Sequence, residues 1–121
     1  MAIKALPGGG EIIAERSDGD HRYRITRTPA GYLVTARSRD AIGAMIVAEW
    51  LHRSEEASLA CMAAVEAGNV AFRAIMQGMP SEGLLRRYGE LIDAHNATCE
   101  RLDDLPRVGQ EVRNLRSGDL E

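Results

Sequence analysis

Lysine is almost missing from this chain: of its 15 basic side chains only Lys4 is a lysine, and the rest are arginine. That bias, together with the abundance of alanine, points to a GC-rich genome and a protein of bacterial or phage type. Aromatic residues make up only 4% of the 121 positions. The core therefore has to be aliphatic and alanine-based, closely packed and short of large anchors. Two cysteines, Cys61 and Cys99, are too few and too far apart for a disulfide framework. The longest unbroken apolar stretch, Ala41 to Ala48, falls well short of the roughly 18 residues of a membrane span. The opening Met1-Ala2-Ile3-Lys4 lacks the pattern of a secretory signal. A soluble, cytoplasmic protein with no membrane partner is expected.

Catalytic signatures are lacking as well. No nucleophile elbow, dinucleotide fingerprint, paired-carboxylate pattern or His-Glu-x-x-His motif occurs. Pro7-Gly8-Gly9-Gly10 lacks the Gly-Lys-Ser/Thr ending of a phosphate loop. Asp103-Asp104 and Glu55-Glu56 are adjacent acids at helix ends, where dipole and solubility account for them. The expectation is a non-enzyme with no cofactor.

What the chain does contain is pattern. Its length fits one domain over 1–121, with a β-meander in 1–39, a helical layer in 40–104 and a tail in 105–121. The formal charge of −3 is uneven: residues 1–40 balance to +2 and the remainder to −5. Ile3 to Leu6 reads as a short edge strand. Glu11–Ser17, Arg22–Thr28 and Tyr32–Ser38 alternate as strands, punctuated by Asp18-Gly19 and Pro29-Ala30-Gly31. Three antiparallel strands, with a fourth at the edge, are expected. After Asp40, a good N-cap, nearly every residue from Ala41 to Leu51 is apolar, which predicts a buried helix between two layers. A break near Arg53 precedes a fresh helix start at Ser54-Glu55-Glu56.

The strongest signal follows. Ala57, Ala60, Ala64, Ala67, Ala71, Ala74 and Gly78 recur at alternating steps of three and four. A helix with that period keeps one narrow, smooth stripe against a neighbour. A larger stripe, Cys61, Val65, Gly68, Phe72, Ile75 and Met79, runs beside it. Gly78 and Pro80 end this helix, and Ser81-Glu82 open another with the stripe Leu84, Tyr88, Leu91, His95, Thr98 and Leu102. So short a connection predicts an antiparallel helical hairpin. Val108, Val112 and Leu115 suggest a short amphipathic helix in the tail. The fold class expected is α+β: a three-stranded antiparallel meander, a buried helix and a helical hairpin.

Three candidate sites follow. Reversal near Met79-Pro80 sets Cys61 level with Cys99, with His95 one turn away; two thiols and an imidazole are zinc-type ligands and also a nucleophile–base pair. A metal needs a fourth ligand, for which His52, Glu66 and Glu100 are available; burial as small hydrophobes is the plainer account of the cysteines. Arg22, Arg24, Arg37 and Arg39, joined by Arg16, can share the open face of the sheet as a contact for nucleic acid, although a sequence pI near 5.6 opposes strong phosphate binding. The alanine seam, finally, is either filled by the second helix or turned toward a symmetric partner. The helix carries more apolar surface than one neighbour covers, which favours a homodimer and a protein partner. The function expected is a small non-catalytic interaction or regulatory protein. The alternatives are a DNA reader using the arginine face, and a Cys/His metal or thiol enzyme.

Overall fold

The computed structural model describes residues 4–5, 10–39, 43 and 45–108. Asp40 and the stretch containing Val112 and Leu115 lie outside the described residues. The chain is α+β. Five antiparallel strands, β1 (Lys4–Ala5), β2 (Glu11–Asp18), β3 (His21–Thr28), β4 (Gly31–Arg39) and β5 (Met45–His52), pair in sequence order, and α1 (Glu55–Met76) and α2 (Glu82–Leu102) follow.

Alternation and turn chemistry build the sheet. Gly19 takes φ +62° between β2 and β3. Pro29-Ala30 closes the next hairpin, where Thr28 is opposite Gly31. Gly31 has φ +141°, and a Cβ there would run into the His52 carbonyl oxygen, so this position admits only glycine. Tyr23, Ile25, Val34 and Ala36 share one face and are buried against Cys61 and Met62 of α1, with Trp50 and Val65 at the margin. Among the described residues, no helix packs on the opposite face.

The segment predicted as a buried helix is β5 instead. Its register against β4 runs unbroken from Tyr32 opposite His52 to Arg39 opposite Met45. A short apolar run lacks the polar positions that separate a period of 3.6 from a period of 2, and β-branched Ile46 and Val47 favour the strand. The expected edge strand is present as the two-residue β1, and the meander has four full strands where three were expected.

The break at Arg53 is present. Ser54 caps α1, its hydroxyl oxygen accepting the Ala57 N–H at 3.2 Å, and Glu55 and Glu56 occupy the positive end of the dipole. Asn69 Nδ2 donates to the buried Tyr23 hydroxyl at 2.9 Å, Arg16 pairs with Glu66 at 2.7 Å, and Arg73 pairs with Asp18. These contacts pin α1 across the sheet. Gly78, at φ +68°, turns the chain into α2.

The alanine seam lies inside the hairpin. Ala57, Ala64, Ala71 and Ala74 are buried, and Ala60 and Ala67 are half-buried. On the same side of the helix, a Cβ at Gly68 would meet the Tyr88 ring at 2.8 Å. Ala67, with Ala63 and Val70, faces Leu84 and Leu91 across a crevice of about 240 Å³. The second helix fills the seam, and small side chains are what allow so close an approach. Alanine content also makes α1, by length and composition alone, apolar enough to cross a membrane, with mean hydropathy 1.4. Its contacts with the sheet and with α2 account for that composition.

Candidate functional site

Where β5 ends, α1 begins and α2 finishes, five chemically active side chains meet. Cys61 and Cys99 are both buried free thiols. His95 sits one turn before Cys99, and its Nε2 lies 3.3 Å from the Cys99 Sγ. His52, the last residue of β5, is 0% exposed and points its Nε2 at the same nitrogen of His95, 3.1 Å away. One ligand atom each from His52, Cys61 and His95 fit within 4.8 Å of one another. The three residues expected at one level of the hairpin are therefore together, and of the fourth-ligand candidates His52 joins them. Glu66 is committed to Arg16 on the sheet side.

Asp104 closes the cluster from behind. Asp103 takes a left-handed conformation (φ 51°) at the end of α2, which turns the chain back toward β5. Asp104 is thereby 1% exposed, and its carboxylate accepts the Arg53 N–H (2.8 Å), the Ser54 N–H (2.8 Å) and the Ser54 hydroxyl (2.7 Å). Leu51 and Arg107 then exchange backbone hydrogen bonds. This corrects the reading of Asp103-Asp104 as two solvated helix-end acids: Asp103 is exposed, whereas Asp104 is a buried acceptor. Nothing local distinguishes the two in sequence, because the burial follows from pairing of the segment after α2 with the end of β5.

Burial sets the protonation states. It pushes the Cys61 thiol up to about 12, with Cys99 adding to the effect, and raises Cys99 as well. Burial, then the neighbouring His52, lowers His95 and keeps it neutral at pH 7. The Asp104 carboxyl is held below its ordinary value: burial opposes ionisation, but hydrogen bonds from Arg53 and Ser54 together outweigh it. A thiol nucleophile needs the opposite shift, toward thiolate. Both thiols of the cluster are shifted away from thiolate.

The arginines lie on the open face of the sheet. Arg22 and Arg24 of β3 and Arg37 and Arg39 of β4 share that side, with Arg22 directly opposite Arg37. Arg24 pairs with Glu15 at 2.7 Å, and Arg39 donates to the Gly43 carbonyl at 2.9 Å. Arg16 does not belong with them, since it is on the helix side with Glu66.

The far end of the hairpin is apolar and open. Phe72, Ile75, Met76, Met79 and Leu85 are exposed, Phe72 by 61% and Met76 by 70%. Of these, Phe72, Ile75 and Leu85 line a groove of about 450 Å³ together with Trp50, Val65, Gly68 and Tyr88. The larger stripe of α1 supplied Phe72, Ile75 and Met79 as apolar positions, but only the structure shows that they stay exposed among the described residues. No family model, curated protein or solved structure matches the chain.

Proposed function

We propose that this chain is a non-catalytic binding protein that works as a homodimer, pairing through the open end of its helical hairpin. The observation that carries the reading is the cluster of Phe72, Ile75, Met76, Met79 and Leu85 at the water-facing end of the two helices. Contiguous exposed apolar surface of this kind marks an interaction site. A second copy suits it for an electrostatic reason. A two-fold interface sets the same patch of two copies against each other, so a patch free of charge pairs with its copy without needing a complementary charge pattern. The groove is lined by Trp50, Val65, Gly68, Asn69, Ala71, Phe72, Ile75, Leu85 and Tyr88, with no ionisable acid or base other than a phenol. The site of pairing is thus the hairpin end and not the alanine seam, which α2 already occupies.

Sedimentation equilibrium tests the reading. The expected result is a dimer that Phe72→Asp converts to monomer, with little response to salt, since apolar contacts are not screened. A monomer at every concentration overturns it.

A second reading, nucleic-acid binding, is favoured by one observation. Arg22 and Arg37 face each other in register, and neither has a carboxylate partner among the described residues. Like charges directly opposite destabilise a sheet unless an anion covers them. Binding to duplex DNA that weakens steeply between about 50 and 200 mM salt, and is lost in Arg22→Ala with Arg37→Ala, would support this reading. Absence of binding at the lower salt removes it.

A further inference from the structure

We propose that His52, Cys61, His95 and Cys99 form a structural zinc(II) site that staples the end of β5 to both helices. The geometry carries the proposal. A tetrahedral zinc with Zn–N near 2.0–2.1 Å and Zn–S near 2.3 Å sets nitrogen–nitrogen edges of about 3.3 Å and nitrogen–sulfur edges of about 3.6 Å. The two imidazole nitrogens are 3.1 Å apart, and the Cys99 Sγ is 3.3 Å from the His95 Nε2. The Cys61 Sγ falls within 4.8 Å of both rings' ligand atoms. The Cys99 Sγ lies beyond 4.8 Å of at least one of the other three ligand atoms, so closing the tetrahedron asks a movement of about 1 Å or more at the Cys99 side chain and smaller adjustments at the other three.

Hydrogen bonding alone does not explain the arrangement. His95 Nε2 has either one hydrogen or one lone pair, yet both His52 Nε2 and Cys99 Sγ approach it. One of these contacts is left unmade in any protonation state. A cation at the centre would use the lone pairs of all four groups at once. The outer side of His52 fits the same account. Its Nδ1 has no hydrogen-bond partner, although the residue is fully buried, and Asp104 Oδ2 lies 3.5 Å away. Closing that gap by about half an ångström makes the carboxylate–histidine pairing that orients imidazole ligands on zinc.

The donor set selects the ion. Two sulfurs and two imidazoles exclude magnesium and calcium, which require oxygen. Two thiolates with two neutral imidazoles cancel the charge of a divalent cation, so the loaded centre adds no net charge to a buried site. Four protein ligands also leave no position for water or substrate, which makes the role structural and not catalytic.

Cobalt(II) titration of the full-length reduced, metal-free chain provides the test. The expected result is saturation at one equivalent, with the ligand-field bands of tetrahedral cobalt and a thiolate-to-cobalt charge-transfer band. Zinc should displace the cobalt stoichiometrically and raise the melting temperature, and EDTA should reverse the rise. Cys61→Ser and Cys99→Ser should each lose about half of the charge-transfer intensity. Asp104→Asn should keep the tetrahedral spectrum but bind about 10- to 100-fold more weakly. A wild-type chain that binds no cobalt, or binds it only with an octahedral spectrum, overturns the proposal, whether or not the variants fold. Unchanged charge transfer in both cysteine variants does so as well.

Discussion

The two ends of the helical hairpin are built from the same pair of helices and are opposite in character. At the base, β5, the start of α1, the end of α2 and the segment after it converge, and polar side chains are buried among them. At the tip, among the described residues, the two helices stand with apolar side chains in water. Polar groups are tolerated inside the base because enough elements meet there to supply partners. Apolar groups are exposed at the tip because none of the described residues covers them. The base is organised for internal closure and the tip for external contact.

The comparison is tested hardest at Asp104. Asp104→Ala leaves two backbone N–H groups and a hydroxyl without their acceptor, and a loss of about 3 kcal/mol is expected in urea denaturation. The same site gives a pH signature. Because the folded carboxyl titrates below its ordinary value, its contribution is complete above the unfolded value and declines as pH falls through the folded one. Asp104→Asn should flatten the acid limb of the stability curve, and an unchanged limb would show that Asp104 does not anchor the base.

Smaller effects sharpen the picture along the seam. Ala64→Leu adds bulk where the helices touch and should cost about 1–3 kcal/mol. Ala67→Leu points into the crevice beside Leu84 and Leu91 and should change stability by less than about 0.5 kcal/mol. Equal costs at the two positions would mean that the helices pack differently from the arrangement described. At the tip, Met76→Glu should leave monomer stability within about 0.5 kcal/mol while weakening self-association, read as a concentration-dependent mass. The least change is expected on the sheet. Arg37→Glu turns the like-charged pair with Arg22 into an opposite one and should gain up to about 1 kcal/mol, checked by thermal melting.

Much of this was legible in the residues. Asp18-Gly19 and Pro29-Ala30-Gly31 announce two hairpins because their backbone needs are local. The seam from Ala57 to Ala74 announces a close helix partner because only a helix has that period. Gly78 and Pro80 set where the chain reverses, and so which residues of the two helices share a level; Cys61, His95 and Cys99 followed from that alone. Residues 45–52 were not legible, because a mostly apolar segment of eight residues, broken only by Glu49 and His52, suits a buried helix and a strand equally. Misreading them left His52 as one of three fourth-ligand candidates beside His95, since a histidine's position depends on the element that carries it. Asp104 was hidden for a related reason: its burial depends on the chain returning to Leu51, a contact between residues far apart in sequence. The open tip was half visible, as an apolar stripe with no indication of what would cover it.

Native mass spectrometry of the intact chain, expressed with zinc, tests both ends together. The account predicts a particle of two chains carrying two zinc ions, one closing each base while the tips pair. A single chain without metal, at concentrations where homodimers persist, would contradict it.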